Sequence, residues 1–218
     1  MENICKKGKN MKVMVVSPHP DDETLGAGGT LLRLKKEGHQ IYWLNITDAK
    51  EKDGWSASFI KQRKEQIQRV CDFFEFDDAF NLKFPPAKLE MLEKSILIQK
   101  IGSCFQTVEP EWIILPDPND AHSDHKITYE SCISCSKIFR YPYIHRITTM
   151  EILSETDFGR IDNPFVPNYF VNISDYMKSK IQALEIYDTE LGEHPFPRSV
   201  DSVKAVSYTH LRAHETRR

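Results

Sequence analysis

Val13-Met14-Val15-Val16-Ser17-Pro18-His19-Pro20-Asp21-Asp22-Glu23 is the stretch that decides the fold. Its first four residues form a short apolar run rich in branched side chains, which suits a buried parallel strand better than a helix. Thr24 to Glu37 then reads as a helix. Open α/β sheets keep their ligands just beyond the carboxyl ends of strands, so His19, Asp21, Asp22 and Glu23 fall where such a fold does its chemistry. Pro18 and Pro20 restrict the backbone on both sides of His19 and remove two N–H donors. The histidine therefore sits in a stiff turn, as a metal ligand should.

A second constellation, Asp120-Ala121-His122-Ser123-Asp124-His125, follows another buried-strand signature, Trp112-Ile113-Ile114-Leu115-Pro116. A lone His-Pro-Asp at a strand end is more often a turn. Two His/Asp clusters at two strand ends point instead to a metal site, because a catalytic zinc takes three protein ligands from His and carboxylate and leaves one position for water. Strands are expected near 12–17, 40–46, 79–82 and 112–116, and helices near 24–37, 57–75, 90–107 and 123–139. That alternation predicts an α/β fold with a mostly parallel sheet and helices on both faces. Beyond it, 146–153 and 168–173 read as strands and 174–190 as an amphipathic helix. The loop Phe158–Pro167, mixing aromatics with prolines, reads equally as a pocket border or a surface connection.

With 218 residues and 40% hydrophobic content, the chain fits a single domain. A formal net charge of −3 argues against a nucleic-acid phosphate-binding face, which leaves small molecules as the expected partners. No apolar run approaches the roughly 18 residues a membrane span needs, and Met1 to Lys12 is polar and basic, so a cytoplasmic protein is expected. Cys5, Cys71, Cys104, Cys132 and Cys135 form an odd set without disulfide-framework spacing, in keeping with a reducing compartment. Cys132 and Cys135 fall on one face of a helix, where packing explains them. Gly26-Ala27-Gly28-Gly29 is not a G-x-G-x-x-G phosphate loop and reads as close packing of helix on sheet, so Asp48 is no ribose-binding acid.

The motifs Pro18-His19-Pro20-Asp21-Asp22-Glu23 and His122-Ser123-Asp124-His125 resemble those of the PIG-L/LmbE-like zinc-dependent N-deacetylases, which include N-acetylglucosaminyl deacetylases. That family carries Ala-His-Pro-Asp-Asp-Glu after its first strand and His-x-x-Asp-His after a later one, so only Pro18 departs. The resemblance covers most of residues 11–205 and implies a Rossmann-like fold. By it, His19, Asp22 and His125 are the metal ligands, and Asp21 is the general base. His122 stands beside the scissile carbonyl as an imidazolium, with Asp124 tuning its orientation and charge. Either Asp21 or His122 protonates the leaving amine.

Zinc is the expected cofactor, although iron(II) suits a two-His, one-carboxylate set as well. The implied reaction removes acetyl from an N-acetylated amino sugar of N-acetylglucosamine type, or from its conjugate. The alternatives are another small-molecule amide, or a catalytically idle carbohydrate-binding module. Arg63 on its own reads as part of a solvated helix face; the resemblance makes it a substrate contact. In Lys83-Phe84-Pro85-Pro86, Pro86 stands where the family often has a sugar-holding aspartate, leaving Glu90, Asp78 or a different substrate to account for the change. The oligomeric state is open, a homo-oligomer included.

Val206-Ser207-Tyr208-Thr209-His210-Leu211-Arg212-Ala213-His214-Glu215-Thr216 resembles a translated sequencing adapter. Residues 206–218 are therefore read as non-native, and 1–205 as one deacetylase-like domain truncated near Ala205. Removing Arg212, Arg217, Arg218 and Glu215 moves the formal net charge from −3 to −5, and His210 and His214 drop out as candidate ligands.

Overall fold

The computed structural model describes the backbone of residues 10–215 and the side chains as far as Ser207. The chain up to Lys9, with Cys5, and the side chains of His210 and His214 lie outside the described residues.

Among the described residues five strands form one sheet: β1 (Lys12–Ser17), β2 (Gln40–Thr47), β3 (Asp78–Phe84), β4 (Trp112–Pro116) and β5 (Arg146–Met150), in the order β3-β2-β1-β4-β5. Every pairing is parallel, so the expected mostly parallel sheet is wholly so. The pleat sends alternate side chains to opposite faces. Val13, Val15, Ile41 and Trp43 enter one core with Leu31, Phe74 and Leu184, while Met14, Val16, Leu44 and Ile46 enter the other with Leu97, Ile101 and Phe105. Three helices, α1 (Asp22–Lys36), α2 (Ala57–Phe74) and α5 (Met177–Leu184), thus cover the first face. Helices α3 (Lys94–Val108) and α4 (Ser123–Ser134) cover the second. A sixth helix, α6 (Val200–Glu215), brings Val203 into the first core and continues through the adapter-like stretch.

Several expected boundaries move for physical reasons. Helix α1 begins at Asp22 rather than Thr24, because Asp22 and Glu23 supply an acidic first turn that suits the positive end of the helix dipole. Helix α4 stops at Ser134, short of Phe139. Ser131 and Ser134 turn their hydroxyls back onto the carbonyls of Ile127 and Glu130 there, a bonding that weakens helices. The strand expected at 168–173 does not form. That segment crosses α1 instead, with Arg33 donating to the Asn172 carbonyl and Ile173 packed against Gly29. The helix expected at 174–190 is α5 between two short 3-10 turns.

Cys71, Cys104, Cys132 and Cys135 are all free, and the last three are buried as ordinary core residues. No helix among the described residues is long and apolar enough to cross a membrane. The strand order reverses at β1: β2 and β3 build outward on one side, β4 and β5 on the other. The crevice at the carboxyl ends of β1 and β4 is therefore the topological switch point, and both His/Asp clusters emerge there.

Candidate metal centre

Two histidines converge on one oxygen of Asp22. Asp22 Oδ2 lies 3.5 Å from His19 Nδ1 and 3.4 Å from His125 Nε2, and it also accepts the His19 backbone N–H at 2.8 Å. The ligand atoms of the three side chains all fall within 4.8 Å of one another. His125 Nδ1 meets Asp120 Oδ2 at 2.7 Å, an arrangement that places the ring hydrogen on Nδ1 and the lone pair on Nε2. His125 Nε2 is buried with no hydrogen-bond partner. A buried lone pair facing a carboxylate is left without a donor unless a cation lies between them. Two imidazoles and one carboxylate, with an orphaned nitrogen among them, fit a divalent ion of zinc type.

His19 Nε2 donates to Asp124 Oδ2 at 3.0 Å, and Asp124 accepts further N–H bonds from Ala87 at 2.7 Å and Leu89 at 3.0 Å. The Asp124 carboxylate thus bonds His19 directly, while its charge raises His122 and its backbone N–H donates to His122 Nδ1 at 3.1 Å. Burial on its own would lower His19, but its bonds to Asp124 and Asp22 raise it to about 10. Burial opposes ionisation of Asp22, yet the His19 ring and backbone N–H hold that carboxyl well below the usual range. His122 caps α4 with its ring centroid 4.5 Å from that of His19. Burial and the neighbouring His19 push His122 below its ordinary value, and its Nδ1 is already an acceptor. With Nδ1 so engaged, Nε2 is the ring nitrogen free to meet a substrate.

Asp21 caps α1 with a φ of 137°, a backbone conformation that side chains other than glycine's rarely adopt. It is buried, and burial with the adjacent Asp22 pushes its carboxyl well up, opposed by Arg198, whose Nη1 donates to Asp21 Oδ2 at 2.8 Å. Glu23 is the scaffold of this turn. It accepts from the Asp21 N–H at 3.1 Å, Thr24 Oγ1 at 2.6 Å and the Tyr187 hydroxyl at 2.9 Å, while burial pushes its carboxyl up to about 7.

A family profile described as PIG-L, GlcNAc-PI de-N-acetylase, matches residues 14–136, more than half of the chain and all of the residues just placed around the metal centre except Arg198 and Tyr187. The chain belongs to the PIG-L family. Members of that family are metal-dependent N-deacetylases, hydrolases of a linear amide. This PIG-L chain is 25% identical over 193 residues to a diacetylchitobiose deacetylase of Thermococcus kodakarensis, covering 84% of this chain and 71% of that one. It is 26% identical over 183 residues to a probable N-acetyl-alpha-D-glucosaminyl L-malate deacetylase 2 of Bacillus cereus, covering 79% and 80%. The crystal structure of the conserved protein TT1542 from Thermus thermophilus shares the fold, with a TM-score of 0.72, 22% identity and coverage of 94% and 89%.

Other residues of the PIG-L chain stand differently from their sequence reading. Arg63 is buried rather than solvated; it donates to the Pro20 carbonyl at 2.8 Å and to Thr189 Oγ1 at 3.3 Å, and pairs with Glu190. Asp78 opens β3 at the end remote from the metal, a strand length of about 20 Å away, so it does not replace the aspartate that Pro86 displaces. Glu90 is exposed in the 3-10 turn Leu89–Met91. The sequence reading gave no role to two residues: Asp120, which fixes the His125 tautomer and stood within the second cluster, and Arg198, which lies 177 positions from its partner Asp21. A cavity of about 730 Å³ under segment 165–173, lined by Trp112, Met150, Tyr169 and Lys180, lies apart from the centre, and Phe165 and Pro167 of the aromatic loop border it.

Proposed function

We propose that this PIG-L chain is a zinc-dependent deacetylase that hydrolyses the acetamide of an N-acetylglucosamine-type sugar or conjugate. The observation that carries the reading is the buried, partnerless His125 Nε2 facing Asp22 and His19, with the buried Asp21 carboxylate next to Asp22 in the chain and held by Arg198. His19, Asp22 and His125 hold the ion, and Asp120 and Asp124 orient the two imidazoles from behind. Bound zinc supplies Lewis acidity to a water molecule and to the acetamide carbonyl.

Asp21 takes the proton of the attacking water. His122, its Nδ1 committed to a backbone N–H, presents Nε2–H to the carbonyl oxygen as negative charge gathers there. Asp21 then returns the proton it took to the leaving amine. Sugar substrates are favoured because the relatives just described are a diacetylchitobiose deacetylase and a probable N-acetylglucosaminyl malate deacetylase, which share an N-acetylglucosamine unit. The test is acetate release by the zinc-loaded protein across N,N'-diacetylchitobiose, N-acetylglucosaminyl conjugates and N-acetyl amino acids. Release confined to the amino acids would overturn the sugar assignment, and no release from any of them would overturn the deacetylase reading.

A further inference from the structure

A proton-transferring carboxylate has to be aimed, and Asp21 stands on a backbone conformation that does not hold itself. Positive-φ residues outside glycine are strained and persist only where their surroundings over-determine them. Two arginines supply that determination. Arg198 Nη1 donates to Asp21 Oδ2 at 2.8 Å and lies 3.5 Å from Glu190 Oε2; its Nη2 donates to Glu155 at 3.1 Å and its Nε to Ser154 Oγ at 2.6 Å. Arg63 grips the peptide just before Asp21 through the Pro20 carbonyl, and Glu190 pairs with both arginines.

We propose that Arg198 is a positioning residue for Asp21, with the Glu190–Arg63 pair as its far anchor; this rests on the deacetylase reading. A guanidinium has five N–H groups. The side chains of Asp21, Glu190, Glu155 and Ser154 occupy most of those on Arg198, which leaves it to act through Asp21 rather than on substrate. Because Arg198 takes Oδ2, Oδ1 is the oxygen left to exchange the proton. The Glu155 carbonyl also accepts the Ala121 N–H at 3.0 Å, so the clamp is tied to the loop that carries His122 and His125.

The experiment compares Arg198→Ala, Arg198→Lys and Asp21→Asn with the parent protein by metal content, kinetics on N,N'-diacetylchitobiose and crystal structure. Arg198→Ala is expected to keep its metal and hold KM within about threefold while kcat falls about 100-fold, with Arg198→Lys in between. Added guanidinium should restore about tenfold of the Arg198→Ala turnover and none of that of Asp21→Asn. In the Arg198→Ala crystal structure the Asp21 carboxylate should rotate away from its present position. A raised KM at unchanged kcat would make Arg198 a substrate contact, and metal loss in both arginine variants would make it part of the metal scaffold; either overturns the proposal, as does an unmoved Asp21. A parent protein that releases no acetate would sink the deacetylase reading alone, since the Asp21 position in the crystal still decides the role of Arg198.

Discussion

Asp22 Oδ2 is shared by two imidazoles, and the proton on His19 governs how a metal enters. Without metal, His19 keeps its proton up to about pH 10, so an ion that binds through Nδ1 has to expel it. Metal affinity should therefore rise with pH, by about tenfold per unit near neutrality, with release of at least about one proton per ion. Calorimetric titration in two buffers of different ionisation enthalpy counts that proton; no release would remove His19 from the ligand set. Asp21→Asn should retain zinc and lose about 100- to 10,000-fold in turnover, as expected when a general base is deleted and the ligands stay. Zinc loss in that variant would mean that the roles of Asp21 and Asp22 are misassigned. The residue types and spacing of His19, Asp22 and His125 were readable in the chain because strand ends dictate where they sit. The side-chain direction of Asp124 was not, since it depends on N–H groups of Ala87 and Leu89 that only tertiary packing delivers.

Helix α1 lies close to its neighbours because it carries glycines, but not all of them do equal work. A Cβ on Gly29 would lie 2.5 Å from Ile173 Cδ1 and 2.9 Å from its Cβ, a branched side chain near its backbone with little room to turn. Gly29→Ala should destabilise the fold by about 1–3 kcal/mol, as overpacking does. At Gly26 the nearest atom is Met150 Sδ at 2.7 Å, the flexible part of an unbranched chain. Gly26→Ala should come out within about 1 kcal/mol of the parent, since helix propensity offsets the displaced methionine. Urea denaturation of the two variants compares them directly, and equal losses would contradict the distinction. The glycine run was legible as close packing, whereas segment 168–173 misled. Tyr169, Phe170 and Val171 have strand-like character, but what decides pairing is an available edge, and this segment is drawn over α1 by Ile173 and Asn172 instead.

At the scale of the molecule, the centre joins the two halves of the sheet: His19 and Asp22 follow β1, and His125 opens from the β4 side. An ion bound there ties the loops together, and because it binds only the folded chain it adds stability. With free zinc at about 100 times its dissociation constant the gain is about 2.7 kcal/mol. For a chain of this size that is about 5–11 °C in Tm. Differential scanning calorimetry with and without a chelator measures it, and His125→Ala should show no metal-dependent shift. A large shift surviving in that variant would place the ion elsewhere.

The switch-point geometry also orders the protein's assembly in time. As the chain leaves the ribosome, His19 and Asp22 appear early, while His125 follows only after β2, β3 and β4 have been made. Until β4 docks beside β1, an ion meets two ligands that grip loosely and choose poorly among metals. Selection among metals is therefore expected only once β4 has paired with β1, so that metal loading follows the joining of those strands rather than seeding it.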